Sequence, residues 1–208
     1  RVYLESNGCI QQAQDVQALH RLDKDTTGIV LFSLDKETQP LFDELIRSRN
    51  VHKTYLAVVK GEFPEGEQDI TLPIGRDRHD ARRMHVSKTG KAALTHVRRL
   101  EVQRRGQSMR SLMLAELGTG RKHQIRVHFS ALGFPIVGDG LYGPIARDSM
   151  YGRAPSTRTA AFTQASLMLH AYELSFVHPV SGDMLTVCAK LLKTEWPSRF
   201  TGWSVQNP

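Results

Sequence analysis

Cysteine and long apolar runs are scarce in this sequence, and each scarcity excludes a class of protein. The two cysteines, Cys9 and Cys188, form neither a disulfide framework nor a zinc-binding pattern, which favours a reducing compartment such as the cytoplasm. Apolar stretches such as residues 28–34 are far shorter than the roughly 18 residues that a membrane-spanning helix needs. We therefore expect a cytoplasmic protein with no membrane span.

Positive charge is what the sequence has in excess. The formal net charge is +7 at pH 7. The excess is concentrated at residues 76–105, called the basic block below, which contain ten lysine and arginine residues but only three acids. Such a local excess is typical of a surface that binds a polyanion, usually nucleic acid. A solvated sheet face explains the charge alone equally well.

Apolar periodicity predicts an α+β domain with a mostly antiparallel sheet and flanking helices. Turn residues between neighbouring strands predict two hairpins in the second half of the chain. No linker, repeat or low-complexity tract divides the chain, so we expect one domain over residues 1–208, with a mobile loop at 143–165. The predicted strands are residues 28–34, 51–60, 93–102, 111–117, 167–177 and 184–189, and the predicted helices are residues 38–49 and a segment after Gly120 that ends at Gly133.

Residues 20–28 place several ionisable side chains directly before the first predicted strand. Loops held by a strand end often carry catalytic groups. Asp23 and Asp25 are two residues apart, and in an extended segment both would point to one face. They are either a carboxylate pair of a hydrolase or ordinary turn residues, and the spacing leaves both interpretations open.

Residues 118–128 group basic side chains around the start of the second predicted helix. Backbone N–H groups and the helix dipole favour a phosphate at such a place. The P-loop, zinc-protease and serine-hydrolase motifs are absent, which argues against a nucleoside triphosphate site, a metal site and a serine nucleophile. His123 and His128 are interpreted as structural residues, and no metal is expected.

Three segments together resemble the RluA family of pseudouridine synthases, in that family's order. They are residues 20–28 (HRLDKDTTG), 53–61 (KTYLAVVKG) and 120–143 (GRKHQIRVHFSALGFPIVGDGLYG). Residues 169–179 (LHAYELSFVHP) are similar to the closing hairpin of the family. The resemblance implies a pseudouridine synthase fold with a central basic cleft. It also implies isomerisation of uridine in ribosomal or transfer RNA, without a cofactor.

The resemblance implies three catalytic residues: Asp23 as the catalytic aspartate, Tyr55 as the active-site tyrosine and Arg126 as the arginine that pairs with the aspartate. The residue chemistry agrees, because a neighbouring guanidinium favours an ionised carboxylate. Whether Asp23 attacks the anomeric carbon or removes the proton at the sugar 2-position stays open. Tyr55 is expected to stack on the detached uracil, and acting later as a base would require a basic partner nearby.

A base inside an RNA stack cannot reach a carboxylate, so we expect the target nucleotide to be flipped out. The resemblance implies that Arg21 fills the vacated stack or holds the neighbouring phosphate. The basic block is expected to grip the RNA backbone by charge and shape. The other residues expected to bind RNA are Lys53, Arg121, Lys122 and His123.

The sequence departs from the family pattern in two places. Lys122 stands where the family usually has threonine, and the residues before His20 lack the expected Lys-Pro-x-Gly turn. We therefore expect N-terminal strands, and any appended RNA-binding domain, to be missing from this chain. Two alternatives stay open: an inactive relative that only binds RNA, and a glycosidase or nucleosidase that uses Asp23 and Asp25. Nothing in the sequence demands a partner subunit, so a monomer is expected.

Overall fold

A computed structural model of the protein describes residues 16–143 and 166–189. The predicted mobile loop, apart from Gly143, lies outside these residues. No helix within them is long and apolar enough to cross a membrane. The elements in chain order are β1 (Gln17–Ala18), β2 (Thr27–Gly28), β3 (Phe32–Ser33), α1 (Gln39–Arg47), β4 (Val51–Lys60), β5 (Glu67–Ile70), β6 (Ile74–Arg76), β7 (Met84–Val86), β8 (Thr95–Arg105), β9 (Ser108–Leu117), α2 (Gln124–Ala131), β10 (Leu169–Val177) and β11 (Met184–Cys188).

A seven-stranded sheet is the centre of the fold. Six strands run in the order β11-β10-β4-β9-β8-β5, and the short strand β2 pairs with β10. The pairing of β2 with β10 is parallel, and the other pairings are antiparallel. The predicted α+β class with a mostly antiparallel mixed sheet is therefore confirmed. Outside this sheet, β1 pairs with β3, and β6 pairs with β7.

Strand β4 lies in the middle of the sheet and forms the core. Its run from Leu56 to Val59 is completely buried, as expected for a near-continuous apolar strand that is covered on both faces. The second helix packs on this core through Ile125, Phe129 and Leu132, the face predicted from their spacing. The helix thereby brings its first turn to the edge of the sheet.

The prediction of one buried strand at residues 28–34 is wrong. The run is divided between β2, which joins the main sheet, and β3, which pairs with β1. Phe32 and Leu34 are 49% and 44% exposed, whereas Ile29 and Leu31 pack against a cluster that includes Leu45 of α1. An apolar run predicts burial but not which sheet a segment joins, and here the chain changes partners within seven residues.

The other predicted elements are present with shifted ends. The hairpin of β8 and β9 closes at the pair Arg105 and Ser108, so both strands are longer than predicted. Gly106 in its turn has a φ of 56°, a left-handed conformation that suits glycine. Thr38 precedes α1, but its side chain makes no capping hydrogen bond.

Candidate active site

An open cleft of about 1340 Å³ lies where the loop before β2, strand β4 and the start of α2 meet. Every site residue predicted from the sequence lines it: Arg21, Asp23, Lys53, Tyr55, Arg121, Lys122, His123 and Arg126. The basic block contributes less than expected, since Arg82 is its only described cationic side chain among the lining residues. Several of its arginines instead lie near acids, as Arg98 does near Glu67 of β5 and as Arg99 does near Glu65.

Asp23 is held in a tight turn rather than in an extended segment. Its backbone carbonyl accepts a hydrogen bond from the Thr26 N–H at 3.1 Å, and Asp25 has a left-handed φ of 73°. Of the two interpretations of this pair, the structure thus shows the turn, and an extended backbone that would align the two carboxylates is not present here. The backbone of Asp25 has the conformation of a turn residue.

A close approach of two backbones fixes this loop against the main sheet. A Cβ at Gly28 would lie 2.2 Å from the Ala171 carbonyl oxygen of β10, so only glycine fits. The neighbouring Thr27 hydroxyl lies 2.7 Å from Nδ1 of the buried His170. These contacts place the turn that carries Asp23 beside Ala171 of β10, which pairs with Tyr55 of β4.

Arg126 is buried in the first turn of α2 and has two acidic partners. Its Nη1 donates to Oδ2 of Asp23 at 3.4 Å, which is the expected pair. Its Nε and Nη2 donate to the two oxygens of Asp139 at 2.8 and 2.9 Å. The stronger partner, Asp139, was not predicted from the sequence; its position between two glycines of the third motif suggested only a turn.

Asp139 is 1% exposed and organises the turn that follows. Its Oδ1 accepts the backbone N–H groups of Leu141 and Tyr142, both at 2.9 Å. Burial acts to raise the pKa of Asp139, but the guanidinium of Arg126 and these two amides lower it below its usual value. An ionised carboxylate is thus fixed behind Arg126.

Tyr55 points from β4 into the same cleft and is 9% exposed. Burial, and secondly the charge of Asp23, raise the pKa of Tyr55 to about 12. Among the described residues, none makes a hydrogen bond to its hydroxyl. No hydrogen-bonded basic partner, which a role as a base would need, is therefore found for Tyr55 among these residues, and the side chain offers its ring to a ligand.

Lys53 lies two residues from Tyr55 on β4, on the wall of the cleft. Burial lowers the pKa of Lys53. Burial and the charge of Lys53 together lower the pKa of the neighbouring His20 to about 4. Nε2 of His20 accepts the Leu31 N–H at 3.1 Å, so His20 is a neutral structural group that supports the loop.

The remaining cleft residues differ in how firmly they are held. Arg21 and Lys122 are exposed, whereas Arg121 donates its Nε–H to the Ala92 carbonyl at 2.9 Å. His123 lies beside Asp23, with 3.8 Å between Nε2 and Oδ1. His123 therefore lies in the cleft, where its expected role in binding RNA stays a prediction.

His128 is the structural histidine that the sequence predicted. It is fully buried, and its ring nitrogens lie 2.9 Å from the Thr95 hydroxyl and from the Leu72 carbonyl oxygen. Within residues 16–143 and 166–189, no three histidine, cysteine, aspartate or glutamate side chains are grouped so as to hold a metal ion.

Comparisons with known proteins show what this chain is similar to. The family described as RNA pseudouridylate synthase matches residues 4–131. Ribosomal large subunit pseudouridine synthase D of Nitrosomonas europaea is 38% identical over 176 residues, which are 85% of this chain and 48% of that protein. tRNA pseudouridine synthase C of Pectobacterium carotovorum is 35% identical over 188 residues, 86% of this chain and 48% of that protein.

A solved structure is also similar. Human RNA pseudouridylate synthase domain containing 1 aligns with a TM-score of 0.70 at 29% identity, over 94% of this chain and 80% of that chain. The chain spans about half the length of the curated relatives it matches.

Proposed function

The chain belongs to the RNA pseudouridylate synthase family, and on that premise we propose that it is an isomerase that converts uridine in RNA to pseudouridine. In this reaction the bond from the uracil ring nitrogen to C1′ of the ribose breaks. The uracil turns, C5 of the ring bonds to C1′ and loses its proton, and the ring nitrogen that left the sugar takes up a proton. Product and substrate are isomers, so the reaction needs no redox or group-carrying cofactor.

One observation carries the proposal: Asp23, Tyr55 and Arg126 come from three separate parts of the chain and line one cleft. We assign the sugar chemistry to Asp23. Arg126 lies 3.4 Å from Oδ2 of Asp23 and orients the carboxylate that both possible routes use, attack at C1′ or proton removal at C2′. Both routes use the same side chain at the same place.

We assign Tyr55 to holding the detached uracil. With a pKa of about 12, its hydroxyl is protonated at neutral pH, which favours stacking over action as a base. Its ring extends from the central strand into the cleft, where a flipped base would lie against it.

We propose that the RNA binds across the positive rim of this cleft. Arg21 and Lys122 are exposed there, and Lys53 adds a charge on the wall. Flipping the nucleotide costs a few kcal/mol, which contacts of these cations with the flanking phosphates would offset. The names of the relatives support ribosomal or transfer RNA as the substrate, and we propose that the protein acts on it in the cytoplasm as a monomer.

Release of tritium from RNA labelled at C5 of uracil tests the proposal. The RNA is ribosomal and transfer RNA from cells that lack the gene, and the modified uridine is then mapped by comparison with RNA from cells that have it. We expect tritium release without free uracil. A protein that only binds RNA would release no tritium, and a nucleosidase would release the free base; either outcome overturns the proposal.

A further inference from the structure

Tyr142 connects the start of α2 to the hairpin of β6 and β7. Its hydroxyl oxygen accepts the backbone N–H of Met84 in β7 at 2.8 Å and lies 2.7 Å from Nδ1 of His123. The tyrosine is 2% exposed. The guanidinium groups of Arg83 and Arg126 lie 5.4 and 5.1 Å from the centre of its ring, so the ring is tightly enclosed.

These contacts determine which nitrogen of His123 carries the proton. Met84 N–H can only donate, so the Tyr142 oxygen accepts there and has one proton of its own to give. If Nδ1 of His123 also donated, the buried phenol proton would have no acceptor, which is costly. The phenol therefore donates to Nδ1, and a neutral imidazole then carries its single N–H on Nε2.

The neutral state of His123 agrees with its surroundings. Burial lowers the pKa of its imidazole; the charges of Arg126 and Lys122 act in the same direction, and those of Asp23 and Asp139 oppose them. Burial raises the pKa of Tyr142 to about 12, so the phenol keeps the proton that it donates.

The free Nε2–H faces Asp23 across a gap of specific size. The 3.8 Å from Nε2 to Oδ1 is too long for a hydrogen bond, but one oxygen atom fits about 2.8 Å from both. That oxygen must accept from the imidazole and donate to the carboxylate, so it belongs to a hydroxyl group of the substrate or, before the substrate binds, to a water molecule. Arg126 occupies the other carboxylate oxygen, Oδ2, which leaves Oδ1 to this ligand.

We propose that His123 Nε2–H and Asp23 Oδ1 together bind the ribose 2′-hydroxyl of the target nucleotide, and that Tyr142 is the positioning residue that orients the imidazole for this contact. The inference rests on the proposed function and names the group of the substrate that is recognised. The 2′-hydroxyl is bonded to C2′, the neighbour of C1′, and Asp23 acts at one of these two carbons in either route. It is also the group that distinguishes RNA from DNA.

The first test uses the protein without RNA. Nitrogen NMR of the ring of His123 should give the Nε2–H tautomer in the wild type. Tyr142→Phe removes the donor to Nδ1 and should shift the ring toward the other tautomer, whereas the control Tyr172→Phe, at a buried tyrosine outside the cleft, should not. An Nδ1–H tautomer in the wild type overturns the inference, and this result remains decisive if Tyr142→Phe does not fold.

The second test compares two RNA stem-loops that carry the mapped target as uridine or as 2′-deoxyuridine. Each stem-loop competes with labelled substrate for the protein. The stem-loop with 2′-deoxyuridine should bind the wild type about tenfold more weakly than the one with uridine, a difference that corresponds to roughly one hydrogen bond. His123→Asn should abolish this preference. Asparagine suits the left-handed φ of 57° at this position.

Matched variants complete the second test. His123→Gln, whose amide N–H reaches toward the place of Nε2, should restore part of the preference, and His52→Asn, at an exposed histidine of β4, should leave it intact. An unchanged preference in His123→Asn overturns the inference even if tritium is released. Absence of tritium release by the wild type on every RNA overturns the proposed function, whatever the tautomer of His123.

Discussion

Arg126 gives two N–H groups to Asp139, at 2.8 and 2.9 Å, but reaches Asp23 with one, at 3.4 Å. The bidentate contact fixes the guanidinium plane. The longer contact holds the charge of Asp23 in place and leaves part of its carboxylate accessible from the cleft. A buried acid thus positions the arginine, and the arginine positions the acid that faces the ligand.

Asp23→Asn should lower turnover by about 10²–10⁴-fold or more, because the amide neither attacks the sugar nor accepts its proton. RNA binding should change little, since the amide has the same shape as the carboxyl group. Tritium release measures turnover, and a filter-binding assay measures affinity.

Asp25→Asn is the matched control for that variant, because asparagine tolerates the left-handed φ of 73° at this position. It should retain turnover. If instead both variants were inactive to the same degree, the two carboxylates would act as a pair, and the glycosidase alternative would be favoured.

Asp139→Asn should destabilise the fold by about 3 kcal/mol, because it leaves the buried guanidinium of Arg126 without its bidentate partner. Turnover should also fall, since Asp23 then has a less ordered neighbour. Urea denaturation measures the first effect. Asp43→Asn on α1 is the control and should cost no more than about 0.5 kcal/mol; equal stability of both variants would contradict the role given to Asp139.

The sequence predicted β4 and the apolar face of α2 well, and Asp139 poorly, for a physical reason. Strand β4 and the apolar face of α2 follow from local periodicity. The role of Asp139 depends on a contact with Arg126, which lies a whole helix earlier in the chain. A Gly-Asp-Gly sequence predicts a turn whether or not its carboxylate finds a buried cation.

The position of His123 could not be predicted for the same reason. Its place beside Asp23 follows from the left-handed φ of 57° just before α2 and from the tertiary contact with Tyr142. Neither can be read from residue spacing. Residues 28–34 show the converse: their apolar character is real, but the choice between two sheets depends on partners elsewhere in the chain.

His20 should make stability depend on pH in the acidic range. Burial, and secondly Lys53, hold its pKa near 4 in the folded protein, below the usual value of 6.5. The unfolded chain therefore binds the proton more readily, so this contribution to stability is complete above about pH 6.5 and is lost as the pH falls toward 4. Because the ring is partly exposed, we expect the free energy of unfolding to fall by only about 1–2 kcal/mol over this range.

Urea denaturation of His20→Gln between pH 7 and 4 checks this dependence. The amide oxygen of glutamine can accept the Leu31 N–H but does not titrate, so the curve should be flatter than that of the wild type in this range. His52→Gln, at an exposed histidine, should follow the wild-type curve. Parallel curves for His20→Gln and the wild type would show that another group is responsible.

Lys122→Thr should weaken RNA binding in a salt-dependent way. Lys122 is exposed on the rim of the cleft, where a phosphate contact would release counterions from the RNA. Loss of one such contact reduces the slope of log affinity against log salt by about 0.7–0.9. Affinities measured over a salt series give this slope. Lys36→Thr removes an equally exposed charge outside the cleft and should leave the slope unchanged; if both variants changed it equally, the rim would have no special part in RNA binding.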